Sequence, residues 1–203
     1  MAAFFASAIS RFFAIALAFS LTLATTAESA EDDDSSATGV IARLIEAARN
    51  PTPFDHLRTV RLVRNSFDLE AIAKTILGKY WAKANARQRR DFMDALLNAM
   101  RAGVLDQLKK RRQVTVTFGT TRKTMNGDTL VGTKITTPNG RVRKVDWRLH
   151  TCSYGFCIVD VIVDGGSLAI QRRDEAAALL SANGGSIDVL SRRLRANPAH
   201  PFN

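Results

Sequence analysis

The fold is decided by residues 114–163, VTVTFGTTRKTMNGDTLVGTKITTPNGRVRKVDWRLHTCSYGFCIVDVIV. Turn signals divide this stretch into four runs rich in Val, Thr, Ile, Phe and Trp; they are Asn126-Gly127, Asn139-Gly140 and Tyr154-Gly155. Asn-Gly between such runs indicates a hairpin, because a type I′ turn needs positive φ at both central residues. The pattern predicts a four-stranded antiparallel meander. Its strands are expected at about 113–125, 128–137, 141–152 and 156–163.

Two-residue turns also fix which residues face each other across neighbouring strands. On that register Cys152 lies opposite Cys157, Leu149 opposite Asp160, and Trp147 opposite Gly132. Both faces of the sheet then carry apolar side chains, so both need cover. One face is expected to hold Val145, Trp147, Leu149, Phe156, Ile158 and Ile162. The other is expected to hold Val114, Val116, Phe118, Val131, Ile135, Val159, Val161 and Val163.

The N-terminus has the layout of a secretory signal peptide. Arg11 precedes an apolar run over residues 12–23, and small residues follow up to Ala27. The run is short for a bilayer span and a strongly polar segment follows it, which favours cleavage over an uncleaved anchor. We therefore expect a signal peptide over residues 1–27 and a flexible acidic tail over residues 28–39.

Charge and cysteine content fit an exported protein. Without the leader the chain loses one positive charge from a formal net of +10, so it stays strongly basic. A basic chain often binds nucleic acid, but behind an export signal its acidic partners are expected to be lipid headgroups and membrane-protein rims. Two cysteines are consistent with one disulfide in an oxidising compartment.

The segments that flank the meander carry helical patterns. Apolar residues recur at helical spacing from Val40 to Ala48. A second helix is expected from about Phe54 to Asn65, with Arg58, Arg61 and Arg64 along one side. Asp68 can cap a third helix that ends at Gly78, and Asn85 to Gln88 has the form of a capping box that opens a long fourth helix. Two more helices are expected at 169–182 and 186–196, divided by Gly184-Gly185. Helices, a meander and helices again predict a single α+β domain over residues 40–196, with a loose tail at 197–203.

At this point the residues show a resemblance to a known family. Two groups of motifs occur in the order seen in the MlaC, or toluene-tolerance, family. The first consists of Phe67-Asp68, Ile76-Leu77-Gly78-Lys79-Tyr80-Trp81, Gln88-Arg89 and Phe92. The second consists of Asp160-Val161, Val163, Gly165 and Ser167-Leu168, followed by a helix. The chain resembles this family over about Ile41 to Leu194.

The resemblance implies a periplasmic carrier of phospholipid. Members of the family shuttle lipid between an outer-membrane lipoprotein–porin complex and an inner-membrane ABC transporter with membrane-anchored substrate-binding subunits. The implied fold is cone-like, with helices on a curved sheet and an apolar cavity for acyl chains. The implied role is maintenance of outer-membrane lipid asymmetry, without covalent chemistry and without a cofactor. A relative that handles hopanoid lipids is an alternative.

Two sets of residues are expected to carry this function. The cavity is expected between the sheet and the helices, lined by Ile72, Ile76, Trp81, Phe92, Leu96, Met100, Val116, Phe118, Trp147 and Val161. Basic residues are expected to steer the protein to its membrane partners; they are Arg58, Arg61, Arg64, Lys109, Lys110, Arg111 and Arg112. A simple solvated, solubilising face is the other interpretation of these charges.

The chemistry-bearing residues leave one rival hypothesis. Cys152 and Cys157 are expected to form a disulfide, although with His150 they also supply three of the four ligands of a zinc site. No nucleophile elbow or phosphate-binding loop is present in the sequence. Asp160 lies among apolar residues, so it is either a general base of an isomerase- or dehydratase-like enzyme, or a structural carboxylate. In the structural role it accepts hydrogen bonds from backbone amides or pairs with an Arg near the end of the sheet. The structural role is the favoured one, and no metal is expected.

Overall fold

The computed structural model describes residues 36–49, 56–109, 114–153 and 155–198. Within these ranges the helices are α1 (Ala37–Arg49), α2 (His56–Ser66), α3 (Leu69–Leu77), α4 (Lys79–Lys83), α5 (Ala86–Lys109), α6 (Leu168–Ala182) and α7 (Ile187–Ala196). The strands are β1 (Thr115–Lys123), β2 (Thr129–Thr136), β3 (Val142–Cys152), β4 (Gly155–Val163) and β5 (Gly166–Ser167). The expected signal peptide lies outside the described residues.

The α+β class and the antiparallel meander are confirmed, but the strand count is wrong. Among the residues that the structure describes, the sheet is open and has five strands in the order β1-β2-β3-β4-β5. The fifth strand is only two residues long, Gly166–Ser167, and it pairs with the end of β4 before α6 begins. In the sequence this segment has the signature of a strand-to-helix turn, because two residues carry no alternation of their own.

The two Asn-Gly hairpins have three-residue loops, and this shifts the register. The Thr124 N–H donates to the Asp128 carbonyl (2.8 Å) and the Thr137 N–H donates to the Arg141 carbonyl (2.9 Å). The third loop residue is a glycine with left-handed φ in each, +86° at Gly127 and +77° at Gly140. A loop of this kind is the three-residue alternative to the type I′ turn. Consequently Trp147 pairs with Val131, one residue from the predicted Gly132.

The predicted pairing around the third turn is also wrong. Cys152 pairs with Gly155, and Leu149 pairs with Ile158. The register shifts between Leu149 and Arg148, so that Arg148 pairs with Asp160. A one-residue slip exchanges the two faces of a strand, so the predicted face lists are mixed. The face that packs against α1 carries side chains from both lists, namely Val116, Val131, Ile135, Val145, Trp147, Leu149, Ile158, Val161 and Val163.

The apolar face of the sheet is covered by α1, and together they form what we call the sheet cluster. Val40, Ile41, Leu44 and Ile45 of α1 are each at most 4% exposed and pack with the strand residues just named. Trp147 lies inside this layer, and its indole N–H donates to the Thr133 hydroxyl (3.0 Å). The spacing of the four α1 residues places them on one stripe, which is why a single helix can seal much of the face.

A second apolar layer, the helical cluster, is built by helices and by Ala84, which lies between α4 and α5. Its buried members are Val63, Ile72, Ala73, Ile76, Leu77, Ala84, Phe92, Ala95, Leu96, Leu97, Ala99, Met100, Ala176, Leu180, Ile187, Leu190 and Leu194. Phe67 packs against both clusters and forms a parallel bridge to Ile158. The Asp68 N–H next to it donates to the Ile158 carbonyl (3.0 Å). The two layers are therefore joined at the start of α3.

The predicted helix ends are present in the structure. The Asp68 carboxylate accepts from the Ala71 N–H (2.9 Å), and Asn85 and Gln88 exchange backbone-to-side-chain bonds of 2.9 and 3.2 Å. The Gln88 amide also donates to Asp188 at the start of α7 (3.1 Å). This hydrogen bond is the largest of the interactions that hold the pKa of Asp188 below its usual value, and the Arg87 guanidinium acts in the same direction.

Among the described residues, none of the helices combines the length and the apolar character that a membrane crossing requires.

The disulfide between Cys152 and Cys157 is confirmed. The Cα atoms are 5.8 Å apart, and the bond runs diagonally across the β3–β4 hairpin because Cys157 pairs with His150. Both cysteines are therefore oxidised to the disulfide and do not supply thiolate ligands for zinc.

Removal of this disulfide should cost stability at the lower end of the usual range for disulfides. The closed loop is very short, since the two cysteines are five positions apart, and loop-closure entropy then gives only about 2 kcal/mol. We expect Cys152→Ala/Cys157→Ala to unfold in urea with a free energy lower by that amount, and reduced wild type to behave alike. Two titratable thiols in unfolded, unreduced wild type would contradict the assignment.

Candidate functional site

A groove lies between α1 and α2 and has a volume of about 420 Å³, within the usual range for small-molecule sites. Each helix contributes one stripe of its surface. The stripe of α2 consists of Arg58, Arg61, Leu62, Asn65 and Ser66, and that of α1 consists of Arg43, Glu46 and Ala47. These positions are three or four apart, which places them on one side of each helix. The groove therefore follows from the way two amphipathic helices lie beside each other.

The walls of the groove are charged and its floor is apolar. Arg58 and Arg61 are exposed, whereas Leu62 is half-buried and packs against the sheet cluster. Leu62 thus connects the groove with the layer between α1 and the sheet. The lining residues include three arginines and one carboxylate, Glu46, so their formal charges give a surplus of two positive charges.

The predicted lipid-binding residues are divided between the two apolar layers. Ile72, Ile76, Phe92, Leu96 and Met100 are buried in the helical cluster. Trp81 packs on that cluster from outside, and its ring faces the Arg89 guanidinium (4.9 Å) and the Lys74 ammonium (5.8 Å).

The remaining predicted residues belong to the sheet. Trp147 is buried in the sheet cluster, and Val116 and Val161 are partly buried against it. Phe118 is 39% exposed on the edge strand β1. The structure therefore does not bring the ten residues to one cavity, and their role in binding lipid stays a prediction.

The predicted docking residues are also separated. Arg58 and Arg61 line the groove, and Arg64 lies 4.0 Å from Asp94 of α5 in an exposed ion pair. Lys109 ends α5, and Lys110, Arg111 and Arg112 lie outside the described residues. Sequence analysis did not identify the groove itself, because the α1 stripe with Arg43 and Glu46 has the pattern of an ordinary solvated helix face.

Asp160 is engaged at the corner where β4, β5 and α6 meet. Its Oδ1 accepts from the N–H groups of Val161 (2.8 Å) and Ala169 (3.0 Å), and its Oδ2 accepts from the Ser167 hydroxyl. The Arg148 guanidinium lies 3.7 Å from Oδ2. These partners use the acceptor sites of a carboxylate whose side chain is only 3% exposed. The arrangement is the structural one, with a charge held by amides and a hydroxyl.

His150 contacts a carboxylate other than that of Asp160. Its Nε2 lies 2.9 Å from Oδ2 of Asp68, the residue that caps α3. Asp160 is not among the residues that line the groove between α1 and α2. Among the described residues, no cluster of three or more His, Cys, Asp or Glu side chains is placed to hold a metal ion.

These features define a small α+β domain with two apolar layers and a ligand-sized groove that reaches one of them. Residues 40–196 match the family model described as MlaC protein. The match spans most of the chain, and the chain belongs to the MlaC family, as its motifs predicted. No curated protein matches this chain.

Solved structures support the same fold. Seven chains match, and one of them is a phospholipid-binding protein from Ralstonia solanacearum in complex with a phospholipid. That protein is 19% identical in sequence and superposes with a TM-score of 0.61. The alignment covers 73% of this chain and 85% of the Ralstonia protein. At this level of identity the likeness shows that the two chains share a fold.

The geometry around Asp160 makes a quantitative prediction. Asp160→Asn replaces an acceptor oxygen by an amide NH2 group that faces donors, so it should lower the free energy of unfolding by about 1–3 kcal/mol. Asp94→Asn, at a carboxylate whose side chain is 66% exposed, should change it by no more than about 0.5 kcal/mol. Urea denaturation of both variants measures the difference. Equal stability of Asp160→Asn and wild type would show that the carboxylate does not hold the corner.

Proposed function

We propose that this protein is a periplasmic phospholipid carrier that performs no covalent chemistry. The observation that carries the proposal is the family match over residues 40–196, together with a shared fold with a protein that was solved with a phospholipid bound. The layout of an export signal in the sequence supports the periplasm as its compartment. Asp160 accepts hydrogen bonds from two backbone amides and a hydroxyl, which argues against a general base at that position.

The acyl chains are proposed to enter the sheet cluster. Both clusters contain fully buried side chains, and both have partly buried ones at their margins. They differ in how they are covered, because the helical cluster joins residues of five helices, whereas the sheet cluster is covered mainly by α1, with Leu62 of α2 at its margin. A layer covered mainly by one helix is the one that can exchange protein contacts for lipid contacts.

Release of the lipid then requires a partner. Each buried methylene contributes about 0.8 kcal/mol, so two acyl chains with roughly thirty methylenes have an upper bound near 24 kcal/mol on that figure. This value exceeds the practical ceiling for noncovalent affinity, even before ordering costs reduce it. Spontaneous escape into water should therefore be slow, and a carrier needs an acceptor that opens the apolar layer.

The proposed acceptors are those that the family resemblance implies, an inner-membrane ABC lipid transporter and an outer-membrane lipoprotein–porin complex. In this proposal the protein shuttles phospholipid between the two and thereby maintains outer-membrane asymmetry. Arg64 and the basic segment Lys109–Arg112 are the proposed docking charges, acting by long-range steering that salt weakens. A hopanoid ligand would use the same apolar layer, and it is distinguished by the identity of the extracted lipid.

Direct extraction tests the carrier proposal. The mature protein, purified from the periplasm without detergent and extracted with organic solvent, should release phospholipid because escape into water is slow. Mass spectrometry of the extract identifies the lipid, and an unrelated exported protein purified in the same way is the control. Recovery of lipid-free protein that also takes up no phospholipid from vesicles would contradict the proposal.

A further inference from the structure

The groove between α1 and α2 combines features that select a particular ligand. We propose that it is the entry site for the lipid and that Arg58 and Arg61 bind a net-anionic phosphate headgroup there, while the chain enters past Leu62. This inference rests on the proposed function and adds to it the place of entry and the headgroup class.

The two arginines lie on the side of α2 that lines the groove. They are three residues apart on α2, so their side chains emerge from one side of the helix. Both line the groove, opposite the α1 residues Arg43 and Glu46. Arg64, the next residue at the same interval, does not line the groove and lies near Asp94. The groove therefore receives two of the three arginines of this helix face.

The lining of the groove has a positive formal charge. Guanidinium groups stay protonated at every relevant pH and present a planar fork that matches phosphate oxygens. Three arginines and one carboxylate line the groove, so the formal charges of its lining give a positive surplus of two. A headgroup with a net negative charge gains from that surplus, whereas a zwitterionic headgroup places its ammonium in the same positive field.

The apolar floor of the groove distinguishes a lipid ligand from a soluble phosphate. Leu62 and Ala47 are the apolar lining residues, and Leu62 packs directly on the sheet cluster. A free phosphate makes no favourable contact with an apolar floor that continues into a hydrophobic layer. A ligand with a phosphate at one end and an acyl chain at the other satisfies both parts of the groove.

The test measures which lipid the protein takes up. The mature protein is incubated with vesicles of equal parts phosphatidylethanolamine and phosphatidylglycerol and reisolated, and the bound headgroups are counted by mass spectrometry. Wild type should be enriched in phosphatidylglycerol by up to about fivefold, the factor expected from one exposed charge pair. Arg58→Gln/Arg61→Gln should bring the ratio close to one while total lipid uptake is retained.

A matched control carries the same change of charge away from the groove. Arg90 and Arg141 are exposed and do not line the groove, so Arg90→Gln/Arg141→Gln should keep the enrichment of wild type. Lipid uptake with an unchanged ratio in Arg58→Gln/Arg61→Gln would overturn the inference and leave the carrier function intact. Absence of uptake from any vesicle by folded wild type would overturn both.

Two further measurements address the entry path and the source of the phosphate. Leu62→Trp should block the floor and reduce uptake of both lipids, whereas Leu57→Trp, at a residue that is 59% exposed on the same helix, should not. Circular dichroism and thermal melting confirm that both variants are folded. If folded Leu62→Trp takes up lipid like wild type, the entry path is wrong. If glycerol phosphate binds the two arginines and does not reduce lipid uptake, the groove is a site for a soluble phosphate and the inference is wrong.

Discussion

The packing of α1 on the sheet is the interaction on which the rest of the structure depends. An antiparallel sheet with an apolar face has to exclude water from it, and here one helix supplies most of the cover through Val40, Ile41, Leu44 and Ile45. Covering several strands with one helix leaves the margins partly exposed. The domain therefore has one layer that several helices build together and one that is covered mainly by α1.

This division of the core fits a protein that has to hold and release an apolar ligand. The helical cluster, with Phe92 and Leu190 fully buried, can keep its packing while the other layer changes. Phe67 and Asp68 tie the two layers together through Ile158, which fixes α3 to β4 and leaves α1 outside that attachment. A ligand that separates α1 from the strands would thus disturb the sheet cluster without opening the helical one.

The sequence predicted the elements well and their mutual arrangement less well. Local signals were sufficient where both partners are near in the chain, as for the Asp68 cap, the Asn85–Gln88 capping box and the Cys152–Cys157 disulfide. The register was wrong because Asn-Gly occurs in two-residue and three-residue loops alike, and the difference is one residue. That residue decides which face of the sheet each side chain joins.

The candidate site shows the same limit. Helical spacing correctly identified Ile72, Phe92 and Leu96 as buried, but it does not tell which element they pack against. Nine of the ten predicted lipid-binding residues therefore fell into two separate layers, and Phe118 lies exposed on the edge strand β1. The groove was missed for a related reason, since Arg43 and Glu46 gain significance only when α2 is placed beside them. The contact between Leu62 and the sheet cluster is likewise a property of the tertiary structure.

The central claim, that acyl chains occupy the layer between α1 and the sheet, can be tested with the two tryptophans of the chain. Trp147 lies in the sheet cluster and Trp81 packs on the helical cluster, so each reports on one layer. The measurement is the quenching of fluorescence by phospholipid with brominated acyl chains in Trp81→Phe, which keeps Trp147, and in Trp147→Phe, which keeps Trp81. The account predicts strong quenching of Trp147 and little quenching of Trp81. Quenching of Trp81 with Trp147 unaffected would place the lipid in the helical layer and contradict it.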